Sequence, residues 1–320
     1  MPSTAPPPCE RPTLYFIGVS TAKSSIMRVF PRWADVLGIE ADIRGYDAPP
    51  RAEPEAYRTI VQHLRDDPLA RGALVTTHKI SLLEACRDLI DDLDPHAVTC
   101  GEVSCLSKRG DGAGDERLIG HAKDPITSAA GWRAFVPPGH WRDGAEVLCL
   151  GAGGSAVAIS VAVSAFPEQG DRPRRMRFVN RGAERLAHLQ AVHGTITSDI
   201  DFEYLQNADP RRNDELMAAL PPGSMVINAT GMGKDHPGSP VTDEGVFPER
   251  GLIWELNYRG ELDFLHQARR QAAARSLHVE DGWIYFLHGW SAVIGEVFDL
   301  DIDEARFAAS DAAAADQRPA

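Results

Sequence analysis

At 320 residues, with 43% hydrophobic and 25% charged residues, the chain is long enough for two globular domains, and no apolar run approaches the ~20 residues of a membrane span. Its net charge of −13 argues against nucleic acid or an anionic membrane surface as a partner, although a local basic pocket inside an acidic protein can still take an anion. Cys9, Cys86, Cys100, Cys105 and Cys149 form no C-x-x-C pair and read as buried free thiols in a reducing cytoplasm. Cys100 and Cys105 as metal ligands are the weaker alternative, and no metal site is expected.

Met1 to Pro12 is proline-rich without an apolar h-region and reads as a loose tail rather than a signal peptide. Leu14 to Val19 reads as a buried strand, and Ser20 to Ser25 as a polar turn. Ile26, Val29, Phe30, Trp33, Ala34 and Leu37 then recur at helical spacing up to Gly38. Ala41 to Tyr46 is a second strand, and Tyr57, Ile60, Val61 and Leu64 mark a second helix. Residues 73–76 form a third strand, followed by a helix over about 80–90. Glu102 to Ser107 and Arg117 to Gly120 predict a hairpin around the loop Arg109 to Gly114. Asp124 and Pro125 open the next helix, which ends at Pro137-Pro138-Gly139.

A second domain is expected to begin near Glu146. Its strands are Val147 to Leu150, Met176 to Asn180, Met225 to Asn228, Leu252 to Leu256 and His278-Val279. A helix carrying Leu186 and Leu189 and a last one over Trp283 to Phe298 accompany them. Residues 194–209 give no clear signal, and the Ala/Asp-rich end after Phe307 reads as a second loose tail. Strands alternating with helices predict an α/β chain with a mainly parallel, doubly wound sheet.

The stretch Gly151-Ala152-Gly153-Gly154-Ser155-Ala156 lies between an apolar strand and a helix start. Glycine there permits a sharp turn and close approach of a phosphate to the helix N-terminus, but an ordinary tight βα turn has the same form. Asn180, Arg181 and Arg185 follow the next strand, where a dinucleotide fold meets the adenosine ribose. Two arginines there suit a 2′-phosphate, unless Glu184 pairs with them on a solvated helix start. Lys79 follows a buried strand, which aims it at a ligand crevice or leaves it exposed at a helix start. Asp124 is explained locally by helix capping.

Taken in order, these motifs resemble the shikimate dehydrogenase superfamily from Leu14 to about Asp301. Gly72 to Lys79 is similar to the family's G-x-N-V-T-x-P-x-K, one residue shorter. Gly120 to Asp124 resembles G-x-N-T-D, and the glycine turn resembles G-A-G-G. Asn180-Arg181-Gly182 with Arg185 resembles N-R-T-x-x-R. Ile227 to Gly233 resembles I-N-A-T-S-x-G, and Asp281-Gly282 precedes the last helix. The resemblance implies an α/β substrate domain (13–124 with 283–307) and a Rossmann NAD(P)-binding domain (125–282), a cleft between them, and flexible tails at 1–12 and 308–320. It implies reversible hydride transfer between a ring carbinol and NADP, with NAD as the alternative, in a cytoplasmic enzyme of aromatic amino acid biosynthesis or secondary metabolism, monomeric or homodimeric. Lys79 and Asp124 would be the catalytic pair, since a desolvated lysine can take the hydroxyl proton. Ser24, Thr76, Ser104, Tyr258 and Gly289 would meet the substrate. Gly151 to Ala156, Asn180, Arg181, Arg185 and the loop Ala229, Thr230, Gly231, Met232 would hold the cofactor.

The departures concern the substrate side. One serine of the family's S-x-S is Ala22, two asparagines are Ser104 and Ala122, the last helix's glutamine is Gly289, and the proline before the lysine is His78. After Tyr258, Gly260 and Asp263 replace a proline and a threonine. Loss of hydroxyl-reading groups should weaken shikimate binding. Ala22 and Gly289 would open volume, with Trp283, Tyr285 and Trp290 lining the site or packing the core. A dinucleotide-binding sensor without turnover and the folate-linked methylene dehydrogenases are the rival readings.

Overall fold

A computed structural model describes residues 5–110, 116–234 and 236–318, so most of the predicted loop 109–114 lies outside the described residues. The chain divides into two compact units, 1–123 with 289–318, and 124–288.

The first unit begins with β1 (Thr13–Gly18), α1 (Ile26–Leu37), β2 (Asp42–Asp47), α2 (Pro54–Asp66), β3 (Ala70–Val75) and α3 (Lys79–Cys86). It continues with β4 (Asp92–Leu93), α4 (Pro95–Cys100), β5 (Cys105–Arg109) and β6 (Arg117–His121). The sheet order is β2-β1-β3-β5-β6-β4. The pairs β1–β2 and β1–β3 are parallel, and the hairpin β5–β6 adds antiparallel strands beside β3. Periodicity explains α1: Ile26, Val29, Phe30, Trp33 and Ala34 are all buried, and Gly38 ends the helix at φ +70°. The short α4 carries no periodic signal; it is started by Asp94, whose carboxylate accepts the Ala97 N–H at 2.6 Å.

The second unit holds α5 (Asp124–Phe135), β7 (Val147–Leu150), α6 (Gly154–Ser164), β8 (Arg175–Asn180), α7 (Ala183–His193) and β9 (Asp201–Gln206). Then come α8 (Pro210–Ala218), β10 (Met225–Asn228), β11 (Leu252–Glu255), α9 (Asp263–Arg275) and β12 (His278–Glu280). All six strands run parallel, in the order β12-β11-β10-β7-β8-β9. Strand β9 falls in the region without clear signal because it is an edge strand built on ion pairs. Arg175 reaches Asp201 at 2.8 Å and Arg177 reaches Glu203 at 2.7 Å, while Phe202 and Tyr204 pack on Phe178 and His193. Helix α10 (Trp283–Phe298) begins in this unit and ends in the first.

Neither tail is loose over its described residues. The N-terminal segment is pinned at Cys9, which is buried and donates its N–H to Asp67 Oδ2 at 2.7 Å. After Phe298 the chain forms α11 (Glu304–Ala314), capped by Asp303 and lying against α1. Its Ser310 carbonyl accepts the indole N–H of the fully buried Trp33 at 2.7 Å. The alanines of this Ala/Asp-rich end, read from sequence as a loose tail, are strong helix formers, and their small side chains allow this close approach. All five cysteines are free and buried. Among the described residues no helix is long and apolar enough to cross a membrane.

Candidate active site

In the second unit β7 and β10 are adjacent, and the chain leaves them toward opposite sides of the sheet. In such sheets ligands bind beyond the carboxyl ends of the strands at this point. The glycine turn lies there. Gly151 has φ +116°, and a Cβ on it would meet the Ala229 carbonyl oxygen at 2.5 Å, so only glycine fits. Its N–H donates to Val179 O at 2.7 Å, and the Ala229 N–H donates to Leu150 O at 2.7 Å. Gly153 is the extended N-cap of α6, whose first turn (Gly154, Ser155, Ala156) offers backbone amides to an anion. A Cβ at Gly153 would lie 3.4 Å from Arg185 Nη1, so the exposed guanidinium stands at the turn itself.

Asn180 and Gln206 shape the neighbouring β8–α7 turn, donating to Gly182 O at 2.9 Å and Arg181 O at 3.2 Å. Among the described residues Glu184 forms no ion pair with Arg181 or Arg185, which leaves both cations available to an anionic ligand. The structure therefore brings Gly151 to Ala156, Asn180, Arg181, Arg185 and the 229–232 loop to one edge of the sheet.

That loop is held from beneath by Asn228, Asn257 and Glu255, none of which the sequence singles out as a site residue. Asn228 Oδ1 accepts the Thr230 N–H at 3.1 Å and its hydroxyl at 2.6 Å. The Thr230 oxygen in turn accepts the Met232 N–H at 3.1 Å. The Met232 carbonyl accepts from Asn228 Nδ2 at 3.3 Å and Asn257 Nδ2 at 3.2 Å. Beneath them lies Glu255, with no solvent exposure. It accepts from Asn228 Nδ2 at 2.6 Å, Asn257 Nδ2 at 2.6 Å and the Asn257 N–H at 2.8 Å. Burial pushes its carboxyl up to about 7 against the pull of these donors, and three N–H groups aimed at two oxygens serve the ionised form. The available signal was a polar residue ending an otherwise apolar strand, in Met225-Val226-Ile227-Asn228 and Leu252-Ile253-Trp254-Glu255.

In the first unit Ser24, Thr76, Lys79 and Ser104 share the edge where β1 and β3 end and β5 begins. Lys79 is the first residue of α3 and follows a constrained turn. The β-branched Thr77 has φ +65°, and His78 N–H donates across it to Thr76 O at 2.6 Å, closing a strained γ-turn. His78, standing where the family has proline, is buried and bonds Tyr57 OH at 3.0 Å and Ala48 O at 3.0 Å. A carbonyl on Nε2 requires the proton there, so Nδ1 accepts from Tyr57. Burial holds the ring's pKa below its usual value and keeps it neutral.

Asp124 opens α5 in the second unit, directly after Lys123. Lys123 is anchored twice: its N–H donates to Ser104 Oγ at 2.8 Å, and its ammonium reaches Glu296 Oε2 at 2.5 Å. The Ser104 hydroxyl is thus occupied as an acceptor and keeps its own proton to donate. Glu296, on α10, also pairs with Arg109 and lies 3.5 Å from His121 Nε2. Burial pushes its carboxyl up, but the neighbouring cations leave it below the ordinary range. Asp94 adds a bond from the Ala122 N–H at 3.3 Å. Glu296 and Asp94 are further residues that sequence reasoning missed.

Tyr258 packs its ring on Trp283 and Phe286, and Trp283 is buried there. Trp290 is buried edge-on to Phe16, and Tyr285 packs edge-on to Trp254. Trp283, Phe286 and Trp290 are core packing, whereas Tyr258 and Tyr285 are half-buried. A Cβ at Gly289 would meet nothing within 4 Å, so truncating the side chain there leaves open space.

The all-parallel sheet with its glycine turn at the β7/β10 switch defines a Rossmann-type dinucleotide-binding unit, joined in this chain to a second α/β unit. No protein-family model matches the chain. Over 294 residues it is 28% identical to a protein named shikimate dehydrogenase (NADP+) from Sphingopyxis alaskensis, covering 91% of this chain and 92% of that one. A namesake from Methylobacterium radiotolerans is 29% identical over 283 residues, covering 87% and 88%. Among solved structures, a shikimate dehydrogenase in complex with NADP+ superposes with a TM-score of 0.71 at 15% identity, covering all of both chains. A quinate dehydrogenase from Corynebacterium glutamicum in complex with NAD gives 0.70 at 18%, covering 94% of this chain and 98% of its own. The likeness carried by the motifs is a likeness to shikimate dehydrogenases over most of the chain.

Proposed function

We propose that the protein is an NADP-dependent oxidoreductase that interconverts a ring hydroxyl and a ring ketone on a shikimate-like carbocycle. The observation that carries this is the cradle in the second unit. Gly151 admits no Cβ, Gly153 is bare beside Arg185, and a polar loop is fixed next to both. The residues present fit a dinucleotide phosphate: backbone amides of α6 for the pyrophosphate, Arg181 and Arg185 for a 2′-phosphate, and the 229–232 loop for the nicotinamide end. The relatives named for NADP(+) support the same choice. Bound NADP supplies the hydride acceptor, or the donor in reverse.

The rest of the chemistry falls to the chain. Lys79 Nζ takes the hydroxyl proton as the carbinol is oxidised and returns it in reduction, and Asp124 orients the same hydroxyl. The strained turn at Thr77 and the buried His78 fix the start of α3, and so the direction of Lys79. Ser24, Thr76 and Ser104 meet the rest of the ring. Replacement of the family's asparagines and glutamine by Ser104, Ala122 and Gly289 opens the pocket and favours a relative of shikimate with different ring substituents, such as quinate, over shikimate itself. The protein works without nucleic acid or membrane, as a monomer or homodimer in the cytoplasm.

The test is NADP reduction with shikimate, quinate and aminoshikimate, in the wild type and Lys79→Ala. Loss of turnover with retained NADP binding supports the assignment. No turnover on any carbocycle in the wild type favours a dinucleotide-binding sensor. A shikimate efficiency as high as that of dedicated shikimate dehydrogenases would overturn the altered specificity.

A further inference from the structure

The N-terminal segment meets the end of α2 in a cluster that the proposed dehydrogenase chemistry does not use. His63 and Asp67 are four residues apart, so they share one helical face. Cys9 is held against them by its own N–H bond to Asp67 Oδ2. The imidazole nitrogen, thiol sulfur and carboxylate oxygen all lie within 4.8 Å of one another. His63 Nε2 stands 3.8 Å from Asp67 Oδ2, with both side chains 9% exposed. The Tyr15 hydroxyl completes the group, 2.8 Å from His63 Nε2 and 3.5 Å from Cys9 Sγ. A cavity of about 770 Å³ opens beside it, lined in part by Cys9, His63 and Asp67 themselves.

We propose that Cys9, His63 and Asp67 form a binding site for a zinc-class divalent cation, with water from the cavity as the fourth ligand. Three atoms no farther apart than this have a common centre at most about 2.8 Å from each, against zinc bonds of about 2.0–2.3 Å, so side-chain shifts of well under 1 Å would close the site. Thiolate with imidazole selects the zinc end of the divalent series and rejects calcium and magnesium.

The protonation states suit it. Burial holds His63 below its ordinary pKa, so its ring is neutral and has a lone pair to give. Burial raises Asp67, but the Cys9 and Leu69 N–H groups hold it below the usual range, so it is ionised. Burial raises Tyr15, which therefore remains a neutral hydroxyl and can turn to donate to the metal-bound thiolate. Coordination releases one proton, from Cys9, to solvent. The ion would staple residues 5–12 to α2 and β1, adding to the bonds from Arg44 to the Pro7 and Pro8 carbonyls and from Arg11 to Asp42.

The experiment uses the full-length chain, stripped with a chelator and titrated with Co²⁺ alone. The expected result is one equivalent bound, with a thiolate-to-cobalt charge-transfer band and the strong visible bands of four-coordination. Cys9→Ala should abolish the charge-transfer band, and Asp67→Asn should weaken binding at least tenfold, while NADP binding persists in both. Alkylation mapping decides in the wild type alone: Zn²⁺ should protect Cys9 from a thiol reagent. Absence of stoichiometric binding, an unchanged charge-transfer band in Cys9→Ala, or unprotected Cys9 at saturating Zn²⁺ would each overturn the proposal. All these readouts are independent of the dehydrogenase assay.

Discussion

Glu255→Gln tests how the nicotinamide-side loop is held. The substitution is isosteric and removes only the carboxylate's acceptor character. In the wild type one oxygen takes two donors from Asn257, and the other takes Asn228 Nδ2 at 2.6 Å. A glutamine oriented to keep the Asn257 side must aim its own NH₂ at the Asn228 NH₂. Asn228 cannot turn over without cost, because its Oδ1 already accepts from the Thr230 N–H and hydroxyl. Either a donor faces a donor in a fully buried site, or two loop bonds are lost. Both routes cost about 2–4 kcal/mol when the loss of charge-assisted bonding is included. The expected outcome is a lower urea midpoint, and NADP binding weakened roughly tenfold or more by fluorescence titration if even ~1.4 kcal/mol falls on the loop. An unchanged midpoint together with unchanged NADP affinity would refute the reasoning. It would mean that the carboxyl is already neutral and that the loop stands on Asn228 and Thr230 alone.

Three further outcomes follow from buried polar groups. His78→Phe leaves Tyr57 OH and Ala48 O without their buried partner, so stability should fall by about 2–3 kcal/mol in urea melts. Turnover should fall further than NADP affinity, because Lys79 is the next residue. His193 is buried between Ser160 and Tyr204, and burial lowers its pKa from 6.5 to about 4. The unfolded state therefore takes a proton that the native state refuses as pH falls from 6.5 toward 4. This removes about 2 kcal/mol by pH 5, and His193→Gln should lose that much less between pH 7 and 5. Deleting residues 304–318 strips the indole partner from Trp33 and uncovers α1, which should lower the melting temperature sharply. Trp33→Phe, which loses the bond and leaves a small cavity in a fully buried site, should cost less, about 2 kcal/mol.

Much of the architecture was legible because the buried parallel strands are continuous apolar runs and α1 has a wide apolar face. Helices α8 and α9 were not legible: Pro210 to Ala218 and Asp263 to Arg275 are mostly polar and bury only narrow faces through Met217, Phe264 and Ala268. Strand β9 escaped because its charges belong to cross-strand pairs that need its neighbour to be recognised. At the candidate site, glycines and cations at element ends were visible as motifs. Their supports were not, because Glu255, Asn257, Glu296 and Asp94 act through partners 2 to 187 residues away. His78 could be seen to replace a proline, yet only the fold reveals that two hydrogen bonds do the ring's stiffening.

The way α11 meets α1 has a consequence for how the protein is made. The second unit is one continuous segment, 124–288, and can fold as soon as it has emerged. The first unit is split around it, and Trp33 waits for Ser310, 277 residues later, before its indole is satisfied. Its sheet can form early, but one face of α1 stays uncovered until the last helix leaves the ribosome. Synthesis that stalls after the second unit therefore yields a nascent chain with a complete dinucleotide fold and an exposed tryptophan, the kind of surface that chaperones and proteases recognise.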